Sequence, residues 1–171
     1  EAFGRIDVLV CNAGITRDGL IMRLSEADFD AVVDTNLKGT FLCMKALSKI
    51  MMKQRTGSIV NIGLMASVAG DLGSTAYACS KAAVDMLTSS VALQYGKENI
   101  RCNCVRPGLV VTPQNEAHVP QQLKDIFLSN IEANRYGCPD DIAQACLCCA
   151  SDESAYVTGQ IINVDGGMNS H

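Results

Sequence analysis

Four short apolar runs, each closed by a glycine or proline turn and separated by helix-length stretches, leave this chain few ways to fold. The first is Ile6-Asp7-Val8-Leu9-Val10-Cys11, which ends at Asn12-Ala13-Gly14. The second is Ser58-Ile59-Val60-Asn61-Ile62, which ends at Gly63. The third runs from Ile100 to Val105 before Pro107-Gly108, and the fourth is Gln160-Ile161-Ile162-Asn163-Val164 before Gly166-Gly167. Three of them are apolar at nearly every position, as strands are when both faces of the sheet are covered. Between them lie helical patterns. Ser25-Glu26-Ala27-Asp28 has the form of a capping box and opens one helix. Others are expected over about 40–53, 74–96 and 121–133, and Pro139-Asp140-Asp141 has Pro in a first turn with acids at the positive end. Helices long enough to cross over between strands imply an α/β fold with a parallel sheet.

The 171 residues, 48% hydrophobic and 19% charged, suit one globular domain, and no linker, repeat or low-complexity segment divides it. A net charge of -4 without a basic block argues against nucleic acid as the main partner. No apolar run approaches the ~20 residues of a membrane span, so no membrane partner is expected. Glu1 to Arg5 lacks the pattern of a signal peptide, although with no initiator Met a targeting segment could precede it. The expected location is the cytoplasm, with an organelle as the alternative. Nine cysteines make an odd set, unlike a secreted disulfide framework. Cys102 and Cys104 share one strand face. Cys146-Leu147-Cys148-Cys149 holds one C-x-x-C with no second copy and no nearby His, so small buried apolar residues in a reducing compartment are expected there, with no metal.

Tyr77-Ala78-Cys79-Ser80-Lys81 carries the chemistry. Tyr and Lys four apart on a helix share a face. A Lys ammonium beside a phenol is expected to lower the Tyr pKa from about 10 toward working pH. Such a Tyr can exchange a proton with a substrate oxygen, which suits reduction of a carbonyl by hydride. Alone the pair also reads as an exposed helix face, because chance supplies it in roughly one chain in six of this composition. It stands, however, with Asn12-Ala13-Gly14, with Asn36 in Thr35-Asn36-Leu37-Lys38-Gly39, and with Arg106-Pro107-Gly108. Three of these groups fall at or near the carboxyl ends of strands, where open parallel sheets bind ligands.

In this order the motifs resemble the short-chain dehydrogenase/reductase family, and within it the β-ketoacyl-acyl-carrier-protein reductases. The similarity runs from Asp7 through Asp18, through Asp34 to Gly39, Arg135 to Ala143, and Tyr156 to Met168. The resemblance implies a Rossmann-like doubly wound sheet and an NAD(P)-dependent enzyme, NADP slightly favoured, acting on a small-molecule or carrier-linked carbonyl. It implies Tyr77 as acid/base, Lys81 as its tuner and the holder of the nicotinamide ribose, and Asn36 as support for a relay water. Asn12, Ala13 and Gly14 would lie near the adenosine side of the cofactor, and Pro107, Gly108, Val110 and Thr112 would line its nicotinamide end. Residues from about 113 to 135 would form the substrate lid. The apolar residues of the helices at about 40–53 and 74–96 would build a homodimer or homotetramer, with the segment near Gly159 to Met168 in a second contact.

Two departures stand out. The family's first strands and glycine-rich phosphate loop have no counterpart before Asn12; against the family pattern roughly 75 residues are lacking. The strand at Asp7 to Cys11 should then lie at an edge. The family also places Ser thirteen residues before the Tyr, where this chain has Leu64, which cannot hydrogen-bond a carbonyl. Ser67 is the nearest hydroxyl that a rearranged loop could bring in, against its plainer reading as a loop residue. A non-catalytic subunit or inactive fragment is the competing reading.

Overall fold

The computed structural model describes residues 3–70, 72–112 and 126–169. Among them, β1 (Val8–Cys11), β2 (Gly57–Ile62), β3 (Ile100–Pro107) and β4 (Ile161–Val164) form one parallel sheet in the order β1-β2-β3-β4. Sequential parallel strands need crossovers, and the helices supply them. They are α1 (Glu26–Val33), α2 (Gly39–Gln54), a short α3 (Ala66–Ala69), α4 (Thr75–Tyr95) and α5 (Pro139–Ala150).

Strand alternation divides the core between the two faces of the sheet. On one face Ile59, Ile100 and Cys102 pack against Met44 and Met51 of α2 and Val91 and Ala92 of α4. On the other, Val60 and Val105 pack against Cys149 of α5. Ser58 fixes α5 to the sheet, because its hydroxyl donates to the Cys149 carbonyl at 2.8 Å. The doubly wound arrangement expected from the sequence is therefore present. Full cover of the strands holds for β2 and β3. It does not hold for β1 or β4, which are only partly buried. β1 lies at the edge of the sheet, as expected, with Val8 and Val10 exposed.

Helix starts follow local chemistry. Ser25 caps α1, accepting from the Asp28 N–H at 3.1 Å, while its hydroxyl donates to the Asp28 carboxylate at 2.6 Å. At α5 the Cys138 N–H donates to Asp141 at 2.8 Å, which satisfies one of the amides that a helix N-terminus leaves open. Two expectations change. The separate helices anticipated after Ser25 and over about 40–53 form one continuous helical run, because Asp34–Lys38 is a single π turn joining α1 to α2. Cys148 is exposed, not buried, since the apolar stripe of α5 passes through Cys149 and Cys146 and leaves Cys148 on the outer side. Of the helix expected at 121–133, residues 121–125 lie outside the described residues and 126–128 are helical.

The end of β3 sits hard against the end of β4. A Cβ on Gly108 would meet the Asp165 Cα at 2.6 Å, a backbone contact that cannot swing away. Gly96 has open space and an ordinary helical φ of -58°. Gly108→Ala should therefore cost about 1–3 kcal/mol or more. Gly96→Ala should be neutral or gain about 0.4–1 kcal/mol. Urea unfolding of both variants checks this; equal midpoints would show that the Gly108 approach does not constrain the fold.

Candidate active site

The π turn exists around Asn36, which is buried. Such one-turn bulges re-aim a side chain within a helix and recur at functional sites. Here the Asn36 amide makes three hydrogen bonds. Its Oδ1 accepts from the Ile15 N–H at 2.8 Å, and its Nδ2 donates to the Ile15 carbonyl and to Ser80 Oγ, both at 3.0 Å. The loop after β1 is thereby tied to α4. With the amide so committed, an interaction with a relay water would fall to the Asn36 main-chain carbonyl, which already accepts from the Thr40 hydroxyl at 2.7 Å.

Lys81 lies on α4, which runs beneath the same loop. The residue is only 3% exposed, and its ammonium donates to the Ile62 carbonyl, at the end of β2, at 2.7 Å. Burial lowers its pKa, opposed by Cys104, Asp85 and Cys11. A Cβ on Gly14 would lie 3.3 Å from Asn36 Oδ1 and 3.6 Å from Lys81 Nζ, so glycine keeps the approach to the ammonium open. Tyr77 shares the helix face, and Lys81 Nζ is 5.8 Å from its ring centroid. The expected lowering of the phenol pKa does not occur here. Burial first, and then the Asp18 carboxylate, push it up, while the ammonium is turned to the Ile62 carbonyl. A neutral phenol is the form that can give a proton away.

A cavity of about 280 Å³ opens in front of Tyr77, lined by Gly14, Ile15, Thr16, Asp18, Leu64, Ser74 and Tyr77. Leu64 thus stands in the wall beside Tyr77. Ser67 does not line this cavity; it sits on α3 with its hydroxyl donating to Asp85 at 2.7 Å. Asn12 and Ala13 line a second cavity of about 310 Å³ with Cys11, Thr35 and Cys43. The two cavities are walled by successive residues of one loop. Pro107 accepts from the Met65 N–H at 3.2 Å, which joins the end of β3 to the Leu64 loop. Val110 bridges to Gly137, and Thr112 is the last described residue before 126. Much of the expected lid, 113–125, lies outside the described residues. The sequence reading assigned no role to Asp18 or Ser74. Asp18 closes the stretch from Asp7 that resembles the family, but its approach to Tyr77 depends on the fold of that loop.

Comparison with known proteins gives the family. The family described as enoyl-(acyl carrier protein) reductase matches residues 1–169. A 3-oxoacyl-[acyl-carrier-protein] reductase from Thermotoga maritima is 48% identical over 168 residues, covering 98% of this chain and 68% of that protein. The (2S)-[(R)-hydroxy(phenyl)methyl]succinyl-CoA dehydrogenase subunit from Thauera aromatica is 44% identical over 169 residues, covering 99% and 67%. A structure from Agrobacterium tumefaciens, assigned as a 2-deoxy-d-gluconate 3-dehydrogenase with bound NADP, superposes with a TM-score of 0.93 at 35% identity, covering 96% of this chain and 68% of that one. The chain belongs to the short-chain dehydrogenase/reductase family. It spans about two thirds of the length of these short-chain dehydrogenases. Membership makes it a nicotinamide-dependent oxidoreductase sequence. Among the described residues no helix is long and apolar enough to cross a membrane.

The electrostatics around Tyr77 give a direct check. Tyr77 should ionise above the ordinary value of about 10. Its neutral form therefore persists through neutral pH and is lost only as pH rises past the raised value. Ultraviolet difference titration of the protein against Tyr77→Phe isolates this group, and Asp18→Asn should bring its pKa down. Ionisation below about 10 would contradict the assignment.

Proposed function

We propose that the protein reduces a carbonyl to a secondary alcohol with NADPH, and that its substrates are 3-oxoacyl groups carried as thioesters. The observation that carries this reading is a buried Lys81 whose ammonium lies 5.8 Å from the ring centroid of Tyr77, which itself lines a cavity beside Gly14 and Leu64. The substrate class follows the names of relatives such as the Thermotoga maritima protein, and the preference for NADP follows the NADP-bound neighbour.

The residues present fit a nicotinamide cofactor. Lys81 is a buried cation with donors beyond the one given to Ile62, and Gly14 leaves room beside it. Lys81 would hold the ribose, Asn12, Ala13 and Gly14 would flank the adenosine side, and Pro107, Gly108, Val110 and Thr112 would close on the nicotinamide end. The bound cofactor supplies hydride to the carbonyl carbon. Tyr77 then gives its phenolic proton to the oxygen as charge builds there, and the resulting phenolate, steadied by the Lys81 ammonium, regains a proton from solvent. Asn36 acts by fixing the Ile15 loop and Ser80 around this pair.

Tyr77→Phe in the whole protein should lower kcat for a 3-oxoacyl thioester by about 10²–10⁴ while leaving NADPH affinity close to wild type. Unchanged turnover in that variant would remove Tyr77 from the chemistry.

The same reading extends to assembly. Met86 and Leu93 on α4, and Phe41 and Leu42 on α2, are exposed in the isolated chain, Leu93 to 86%. Patches of this kind are usually covered. A homodimer or homotetramer of the whole protein would bury them across a two-fold axis. Leu93→Glu should split the oligomer in light scattering without lowering the unfolding midpoint of the subunit; an active wild-type monomer at micromolar concentration would contradict it.

A further inference from the structure

We propose that Ser74 is a catalytic residue, its hydroxyl serving as the second hydrogen-bond donor to the substrate oxygen beside Tyr77. This rests on the carbonyl-reductase reading above. A carbonyl oxygen that gains negative charge is best stabilised by more than one fixed donor, and loss of one donor typically costs about 10²–10³ in turnover. Leu64 lines the wall beside Tyr77 and has nothing to donate. The hydroxyl-bearing residues that line the cavity with it are Thr16, Ser74 and Tyr77 itself. Ser67 is directed to Asp85, and Ser80 donates to the Tyr77 carbonyl at 2.8 Å and accepts from Asn36, so neither supplies the cavity.

Between Thr16 and Ser74 the geometry decides. Both donate to the same oxygen, Asp18 Oδ1, Thr16 at 2.6 Å and Ser74 at 3.1 Å. The first is a short, strong bond to a carboxylate, and the second is at the long end for a hydroxyl donor. Ser74 is the one that can turn to a substrate at small cost, while Thr16 keeps the carboxylate in place. Ser74 is also the N-cap of α4, a position where serine normally accepts from its own helix. Here its side chain makes no capping bond. The hydroxyl donates instead to Asp18, which lines the same cavity, and Ser74 lies three residues before Tyr77.

Its backbone is fixed. The Gly19 N–H donates to the Gly73 carbonyl at 2.7 Å, and Gly19 pairs with Ser74 in a parallel bridge. The loop that carries Thr16 and Asp18 is thus anchored at both ends, by Asn36 through Ile15 and by Gly73 through Gly19. Preorganisation of this kind is what an oxyanion donor requires.

The test uses the whole protein with NADPH and a 3-oxoacyl thioester. Ser74→Ala should lower kcat by about 10²–10³. Ser74→Gly, which suits an N-cap and guards against a folding defect, should do the same. NADPH affinity and the unfolding midpoint should stay near wild type in both. Ser74→Thr should keep most of the activity. Adding Leu64→Ser to Ser74→Ala should restore turnover by about tenfold or more, because it returns a donor to the same wall. Wild-type turnover in Ser74→Ala and Ser74→Gly overturns the role of Ser74 and leaves the reductase reading standing. A wild-type protein that binds NADPH and reduces no carbonyl overturns both together.

Discussion

The side-chain amide of Asn36 is the constraint on which the carboxyl end of the sheet depends. It is buried, so each polar atom needs a partner, and an unpaired one would cost about 1–3 kcal/mol. The helix meets that demand by distorting into a π turn at Asp34–Lys38, which gives up regular α geometry to bring the amide against Ile15 and Ser80. Three elements are locked by one group: the loop after β1, the joint of α1 and α2, and the face of α4. Lys81 and Tyr77 lie on that face, and Thr16 and Asp18 lie on that loop. The cavity between them is a consequence of the lock.

A second device supports the same region from below. Asp85 of α4 pairs with Arg106 of β3 at 2.7 Å, both side chains largely buried. Asp85 also receives the Ser67 hydroxyl, and Arg106 donates to Asn163 of β4 at 3.2 Å. Removing one member of such a buried pair typically costs about 3–5 kcal/mol, because the other charge is left alone. The pair binds α3, which follows Leu64, to the strand that leads into Pro107 and Gly108. The wall beside Tyr77 and the turn at Gly108 are therefore held by one network.

Much of this was legible in the sequence. Strand positions showed as apolar runs ending in turn residues, and β2 and β3 emerged close to the expected bounds because both are covered on both faces. The parallel order followed from crossover length. The motif residues Asn12, Asn36, Tyr77 and Lys81 do gather at one end of the sheet. What local pattern could not show was tertiary geometry. The stretch around Asn36 fell between two expected helices, since a π turn and a true interruption look alike when a polar residue falls in a helical stretch. The direction of the Tyr77 shift was misread because spacing on a helix reports a shared face, not where the Lys81 ammonium ends; it ends on the Ile62 carbonyl. Ser67 was close to Leu64 in sequence yet turned to Asp85, while Ser74, ten residues from Leu64, shares its cavity.

The central claim is that the loop after β1, Lys81 and Tyr77 form one nicotinamide-dependent carbonyl site. A crystal structure of the whole protein with NADP and a non-reactive 3-oxo thioester tests it most directly. The account predicts a ribose hydroxyl within hydrogen-bond distance of Lys81 Nζ, about 2.7–3.2 Å, and the ketone oxygen between the hydroxyls of Tyr77 and Ser74. A cofactor seated elsewhere, with Lys81 bonded to Ile62 alone and the ketone oxygen out of reach of Tyr77, would contradict it.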